Sequence, residues 1–256
     1  MKNKRVLSVI IVILVIAALI LLFKAVSPLW ETAKPVDSGS GQMADDVAQQ
    51  TGTYTSPIDF AQLKQQNADT IAWITIPDTN VNYPIVQNTE DDTYYLNHDF
   101  DGEHSSAGTL FTEHVYNAAD FNDPVTVVYG HRMYSGDMLG ELQEDYSDAD
   151  SFAAHQVINV YLPERQLQYT VFAAVPFDNR HILANWDFSN EVDYMNFFRE
   201  IRQINAVGSN INNDIHFDMQ DKILVISTCL WGDKTQRYLV LAKLTDTITE
   251  NKGKDE

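Results

Sequence analysis

The chain has 256 residues, with 36 acidic against 17 basic side chains and a formal net charge of −19. That excess of acid, with no strongly basic patch, argues against a nucleic-acid partner. Its 45% hydrophobic content, including 12 Tyr, 12 Phe and 4 Trp, excludes a wholly disordered chain. A single cysteine, Cys229, excludes an intramolecular disulfide framework and a multi-cysteine metal site.

Val6 to Phe23 is an 18-residue run without a charge, preceded by Lys2, Lys4 and Arg5. As a helix it would be about 27 Å long, close to the hydrocarbon thickness of a bilayer. The preceding basic residues place the N-terminus in the cytoplasm. A cleaved signal peptide is the competing reading, but Phe23-Lys24-Ala25-Val26-Ser27 makes a poor small-x-small site. The expected order is a cytoplasmic stub at 1–5, an uncleaved single-pass signal-anchor at 6–23 and an extracellular linker at 24–53. The linker is rich in Ser, Gly, Gln, Ala and Asp and has no sustained period. A folded domain at 54–248 and a disordered tail at 249–256 complete the chain.

The domain opens with a helix signal, Ser56 as N-cap, Pro57 at the first helical position and Asp59 at the third. Eight strand-like runs follow: Ile71–Ile76, Asn82–Val86, Gly108–Phe111, Val125–Tyr129, Val157–Tyr161, Leu167–Val175, Lys222–Thr228 and Tyr238–Leu244. Many strands with short turns between them predict a mainly β fold, a barrel or a sandwich. A shorter amphipathic piece spans Met138 to Tyr146. The long insertion from Pro176 to Asp221, between the sixth and seventh strands, carries a helix starting at Asn190. Its apolar stripe reads Val192, Met195, Phe198, Ile201 and Ile204.

Three residues carry candidate chemistry. Cys229 ends an apolar strand, where a free cysteine is often just a small hydrophobe. In an extracellular domain a leftover thiol also reads as reactive or intermolecular. His131 directly follows Val125–Tyr129 and Gly130, so the strand projects an imidazole from its end, a loop residue or a base. Arg237 opens the last strand, eight residues after Cys229. Antiparallel pairing through a loop at Leu230–Gln236 would return its guanidinium beside the sulfur. Asp233 lies in that loop as an orienting group of lesser weight. Asp99 to His104 reads as a solvated turn, and no residue is assigned to a metal or cofactor.

The order His131, Cys229, Arg237, with Y-G-H-R-M at Tyr129–Met133 and S-T-C at Ser227–Cys229, resembles the sortases, class B most closely. The resemblance extends over most of Thr53 to Thr245. It includes Thr79–Val86, Tyr94–Leu96, Gly108–Phe111 and the helix-bearing insertion. The cysteine strand usually reads T-L-x-T-C, and here Val225 and Ile226 fill the first two places. Arg132 stands where Asn is usual, and Leu230 and Trp231 follow the cysteine where a polar residue and a tyrosine are frequent.

The resemblance implies a closed eight-stranded β-barrel with an N-terminal helix and a helix in the insertion between strands six and seven. It also implies a cysteine transpeptidase anchored outside a Gram-positive cell membrane and needing no cofactor. In such an enzyme Cys229 attacks after a Thr in the C-terminal sorting signal of a secreted protein. His131 moves the proton and Arg237 stabilises the oxyanion. A peptidoglycan-precursor or pilin amine takes the acyl group. Ser227, Thr228 and Asn82 are the implied substrate contacts. The alternatives are an extracellular cysteine hydrolase with water as acceptor and a non-catalytic surface-binding domain.

Overall fold

The computed structural model describes residues 54–249. The signal-anchor at 6–23, the linker at 24–53 and the tail beyond Thr249 lie outside the described residues. Among those described, no helix is long and apolar enough to cross a membrane.

All eight expected strands are present, and a short ninth joins them. They are β1 (Thr70–Thr75), β2 (Asn82–Val86), β3 (Leu110–Phe111), β4 (Val125–Tyr129), β5 (Val157–Leu162), β6 (Arg165–Asp178), β7 (Asn210–Ile211), β8 (Ile223–Leu230) and β9 (Asp233–Thr249). Neighbours run β5-β1-β2-β3-β4-β8-β9-β6, and a further β5–β6 pairing closes the eight into a barrel. β7 attaches outside the closure, on β6. A barrel, rather than the sandwich that strand count alone left open, therefore removes the free edges.

The helices are α1 (Phe60–Gln66), α2 (Leu142–Ser147), α3 (Ala149–Ala154), α4 (Ile182–Asn185) and α5 (Glu191–Gln203). Two expectations about them need correcting. The first helix is capped by Asp59, whose carboxylate accepts the Gln62 N–H at 2.9 Å, and not by Ser56. Ser56 spends its hydroxyl on the Ile58 N–H two residues on, a turn that precedes the helix. The second concerns α5. The helix starts beside Asn190, which caps it, but its buried residues are Tyr194, Phe197, Phe198 and Ile201, while Val192 and Met195 are exposed. Spacing of three drifts around a 3.6-residue helix, and the i, i+3, i+4, i+7 set is the one that shares a face.

Strand parity divides the core into two layers. Leu224 and Ile226 of β8, Tyr238 and Val240 of β9 and Val128 of β4 point into the barrel with Ile74, Ile85 and Val160. Alternate residues, Val225, Leu239 and Val127, point outward and are covered by Phe177, Phe188 and the aromatic face of α5. Cys229 and Arg237 have the parity of Val225 and Leu239. They belong to the outer face, at the strand ends that α5 does not reach.

Candidate active site

β8 and β9 pair antiparallel, with Cys229 directly opposite Arg237. The connection is tighter than the expected Leu230–Gln236 loop. β8 runs through Leu230 and β9 begins at Asp233, so only Trp231 and Gly232 lie between, and Gly232 takes a positive φ of 81°. The short hairpin fixes the register, and the register returns the guanidinium to the sulfur. Arg237 Nη1 lies 4.0 Å from Cys229 Sγ and also donates to the carbonyls of Lys234 and Gln236, both at 3.2 Å. Both backbone contacts are made by the same nitrogen that faces the sulfur.

His131 reaches the same groove from β4, which pairs parallel to β8 with Tyr129 opposite Ser227. The strand ends at Gly130, where a Cβ would collide with the side chains of Leu110 and Leu139. Its N–H bonds the Ser227 carbonyl at 3.2 Å. The His131 ring is then fixed through Nε2, 2.7 Å from the Leu96 carbonyl. A carbonyl only accepts, so Nε2 carries the hydrogen, leaving Nδ1 as the nitrogen free to exchange a proton.

A groove of about 340 Å³ brings His131, Cys229 and Arg237 together with Ser227 and Thr228. Ser227 and Thr228 are buried, and Thr228 Oγ1 has no hydrogen-bond partner among the described residues. Asn82 is placed elsewhere. It lies on β2, accepts the Trp73 indole N–H at 2.6 Å and lines no part of this groove. Asp233 does not turn toward His131 either. Its carboxylate accepts from Thr235 and Gln236 within its own turn, and the Thr235 hydroxyl, foremost among these donors, holds it below the usual carboxylate range.

The far end of the groove holds residues that sequence reasoning passed over. His181, the N-cap of α4, accepts the Ala184 N–H on Nδ1 and donates from Nε2 to Glu113 at 2.9 Å. Tyr129 lies beside this pair. Its hydroxyl and Glu113 Oε2 are buried without a hydrogen-bond partner among the described residues. Burial, reinforced by the Glu113 charge, pushes the Tyr129 phenol far up. Glu113, Tyr129 and His181 all line this end of the groove. Arg180 braces the neighbouring wall. It pairs with Asp178 at 2.7 Å and with Glu200 of α5, and packs over Phe177 and Trp186. Sequence offered no signal for Glu113 and His181, because 68 positions separate them.

The chain matches the sortase domain family over residues 74–245. Sortase B of Staphylococcus aureus is 30% identical over 187 residues, spanning 72% of this chain and 74% of its own length. Sortase B of Listeria monocytogenes is 29% identical over 171 residues, 67% of each chain. Among solved structures, the Staphylococcus aureus sortase B–substrate complex aligns with a TM-score of 0.63 at 29% identity, covering 73% of this chain and 84% of that one. Clostridium perfringens sortase B aligns with a TM-score of 0.64 at 26% identity, covering 73% of this chain and 99% of that one. With the barrel, the lone cysteine at a strand end and a family match over two thirds of its length, this chain belongs to the sortase family of cysteine transpeptidases and is most like its class B members.

Proposed function

We propose that this protein cleaves a C-terminal sorting signal of secreted proteins after a Thr and transfers the acyl group to an amine of the cell wall or of a pilin. In this reading Cys229 gives its thiol proton to His131 Nδ1, and the resulting thiolate attacks the peptide carbonyl. Arg237 donates to the oxygen as it becomes an oxyanion, aided by backbone N–H groups. His131 Nδ1 protonates the departing amide nitrogen, and a Cys229 thioester remains. The incoming amine then gives its proton back to Nδ1 as it displaces the sulfur. Ser227 and Thr228 line the groove beside the acyl chain. The hydrophobic run at 6–23 would tether the domain outside the membrane, with the linker at 24–53 giving it reach.

The observation that carries the proposal is the register pairing of Cys229 with Arg237, 4.0 Å from guanidinium to sulfur, in a groove that also contains His131. The test is to incubate the full-length chain with a library of quenched sorting peptides, with and without a primary amine, and to identify products by mass. An amine-dependent ligation product is expected. Cys229→Ala should abolish cleavage and ligation while leaving the circular dichroism unchanged, since alanine fits a small strand position. Free acid as the sole product with amine present would make the enzyme a hydrolase. Turnover by Cys229→Ala near the parent level would remove cysteine chemistry altogether.

A further inference from the structure

Two of the positions that depart from the family pattern touch each other. Arg132 immediately follows His131, and Trp231 comes two residues after Cys229. The Arg132 guanidinium carbon lies 3.5 Å from the Trp231 ring centroid, with the Tyr134 ring 5.6 Å away on the same cation. Tyr134 in turn meets Trp231 edge-on, centroids 5.8 Å apart. The Arg132 side chain is only 5% exposed, and its one ion pair among the described residues, to Glu144, is long at 3.6 Å. Its Nε is buried without a hydrogen-bond partner among the described residues. The other end of the contact is held as well, since the Trp231 backbone N–H donates to Gln143 Oε1 at 2.8 Å. Gln143 and Glu144 are neighbours on α2, so one short helix braces both halves.

We infer that Arg132 and Trp231 form a cation–π clamp that ties the tip of the β8–β9 hairpin to the loop after β4, and so sets the separation of His131 and Cys229. A guanidinium removed from water gains far more from an aromatic face than an exposed pair does. The stack is therefore the dominant link, and the Glu144 pair is secondary. Without it the two-residue turn at Trp231–Gly232 would extend into solvent immediately beyond a register shift at Cys229/Leu230. Arg132 and Trp231 are positioning residues: they act through His131 and Cys229 and need touch no substrate. Arg132 and Tyr134 line a second hollow of about 520 Å³ that shares His131 and Cys229 with the main groove.

The inference rests on His131 and Cys229 working as a pair, and the test separates the two ideas. Cys229 is the only cysteine in the chain, so its alkylation by iodoacetamide can be followed by mass on the full-length protein from pH 5 to pH 9. His131→Ala is the control and is expected to remove reactivity at the acidic end of the profile. Trp231→Leu and Arg132→Gln should each lower the rate at mildly acidic pH by at least about fivefold, with the double variant no lower than the worse single one. Trp231→Phe, which keeps an aromatic face, should stay within about twofold of the parent, and Arg132→Lys should fall between. Thermal melts establish that each variant is folded, and the Phe and Lys variants decide the matter should the harsher ones fail to fold. Parent-like profiles in folded Leu and Gln variants would overturn the clamp. So would a Phe variant as impaired as Leu, or losses that multiply in the double variant. A His131→Ala profile unchanged from the parent would instead refute the pairing itself, and the clamp with it.

Discussion

Arg237 is the residue whose structural and chemical readings differ most sharply in what they predict. A solvent-exposed arginine paired with surface acids contributes about 0–1 kcal/mol, and lysine replaces it at little cost. Here the guanidinium is held by two carbonyls with Nη1 directed at the sulfur. All three contacts are made by Nη1, and an ammonium on a flexible stem of different length would not be held at that point. Loss of an oxyanion donor typically costs about 2.7–4 kcal/mol. Arg237→Lys should therefore lower kcat by at least about tenfold, and Arg237→Ala by more, with KM for the peptide less affected, read by steady-state kinetics. Gly108 supplies a second test at this scale. It sits at φ +59°, and a Cβ there would press on the Tyr95 carbonyl and come within 3.2 Å of His131 Cδ2. Gly108→Ala should cost about 1–3 kcal/mol in urea unfolding and disturb the Leu96 carbonyl that fixes the His131 ring. His131, Cys229 and Arg237 were legible because each follows or opens a strand, where parity and hairpin pairing dictate neighbours. Asn82 was not, since a strand residue inferred from likeness has no register of its own to place it.

At the scale of elements, α5 shows what periodicity does and does not decide. Helix start and type followed from Asn190 and the recurring apolar residues, but the buried face did not. Phe198 fits both the three-residue stripe and the real face, whereas Met195 fits only the stripe and is 41% exposed. Phe198→Ala should cost about 3–5 kcal/mol, because the ring is buried among Phe172, Tyr194 and Phe217. Met195→Ala should stay within about 0.5 kcal/mol. Denaturant midpoints for the pair decide between the two faces. Equal losses would restore the stripe. The short helices α2 and α3 fared similarly. Only the first overlaps the expected Met138–Tyr146 piece, and α3 owes its start to Asp148, which accepts the N–H groups of Asp150 and Ser151.

The whole molecule is an acidic body, and its charge acts at a distance. A formal −19 should draw in basic peptides and repel acidic ones, within a Debye length of about 10 Å at 0.1 M salt. A cleavable peptide extended with lysines should therefore lose kcat/KM as salt rises from about 0.05 to 0.5 M, while the unextended peptide changes little. Equal salt responses would confine recognition to the groove's own contacts. Barrel closure belongs to this scale too. β6 pairs with β5, β7 and β9, and β9 continues through Thr249, well beyond the expected end at Leu244. Residues 245–249 hold a single apolar side chain, Ile248, and so no apolar alternation, yet the ladder with Arg165–Gln168 extends along them.

Sequence alone determined the strand set, the helices opening near Asp59 and Asn190, the lone thiol and the two residues, His131 and Arg237, that converge on it. These depend on local period, turn chemistry and the short hairpin between Cys229 and Arg237. Tertiary structure decided which face of the barrel carries the site, which side of α5 is buried, and that Glu113 meets His181 and Arg132 meets Trp231. Those contacts join loops 68 and 99 positions apart. No repeating pattern in a chain encodes such a distance; only closure of the barrel brings the strand ends, and the loops they carry, to one edge.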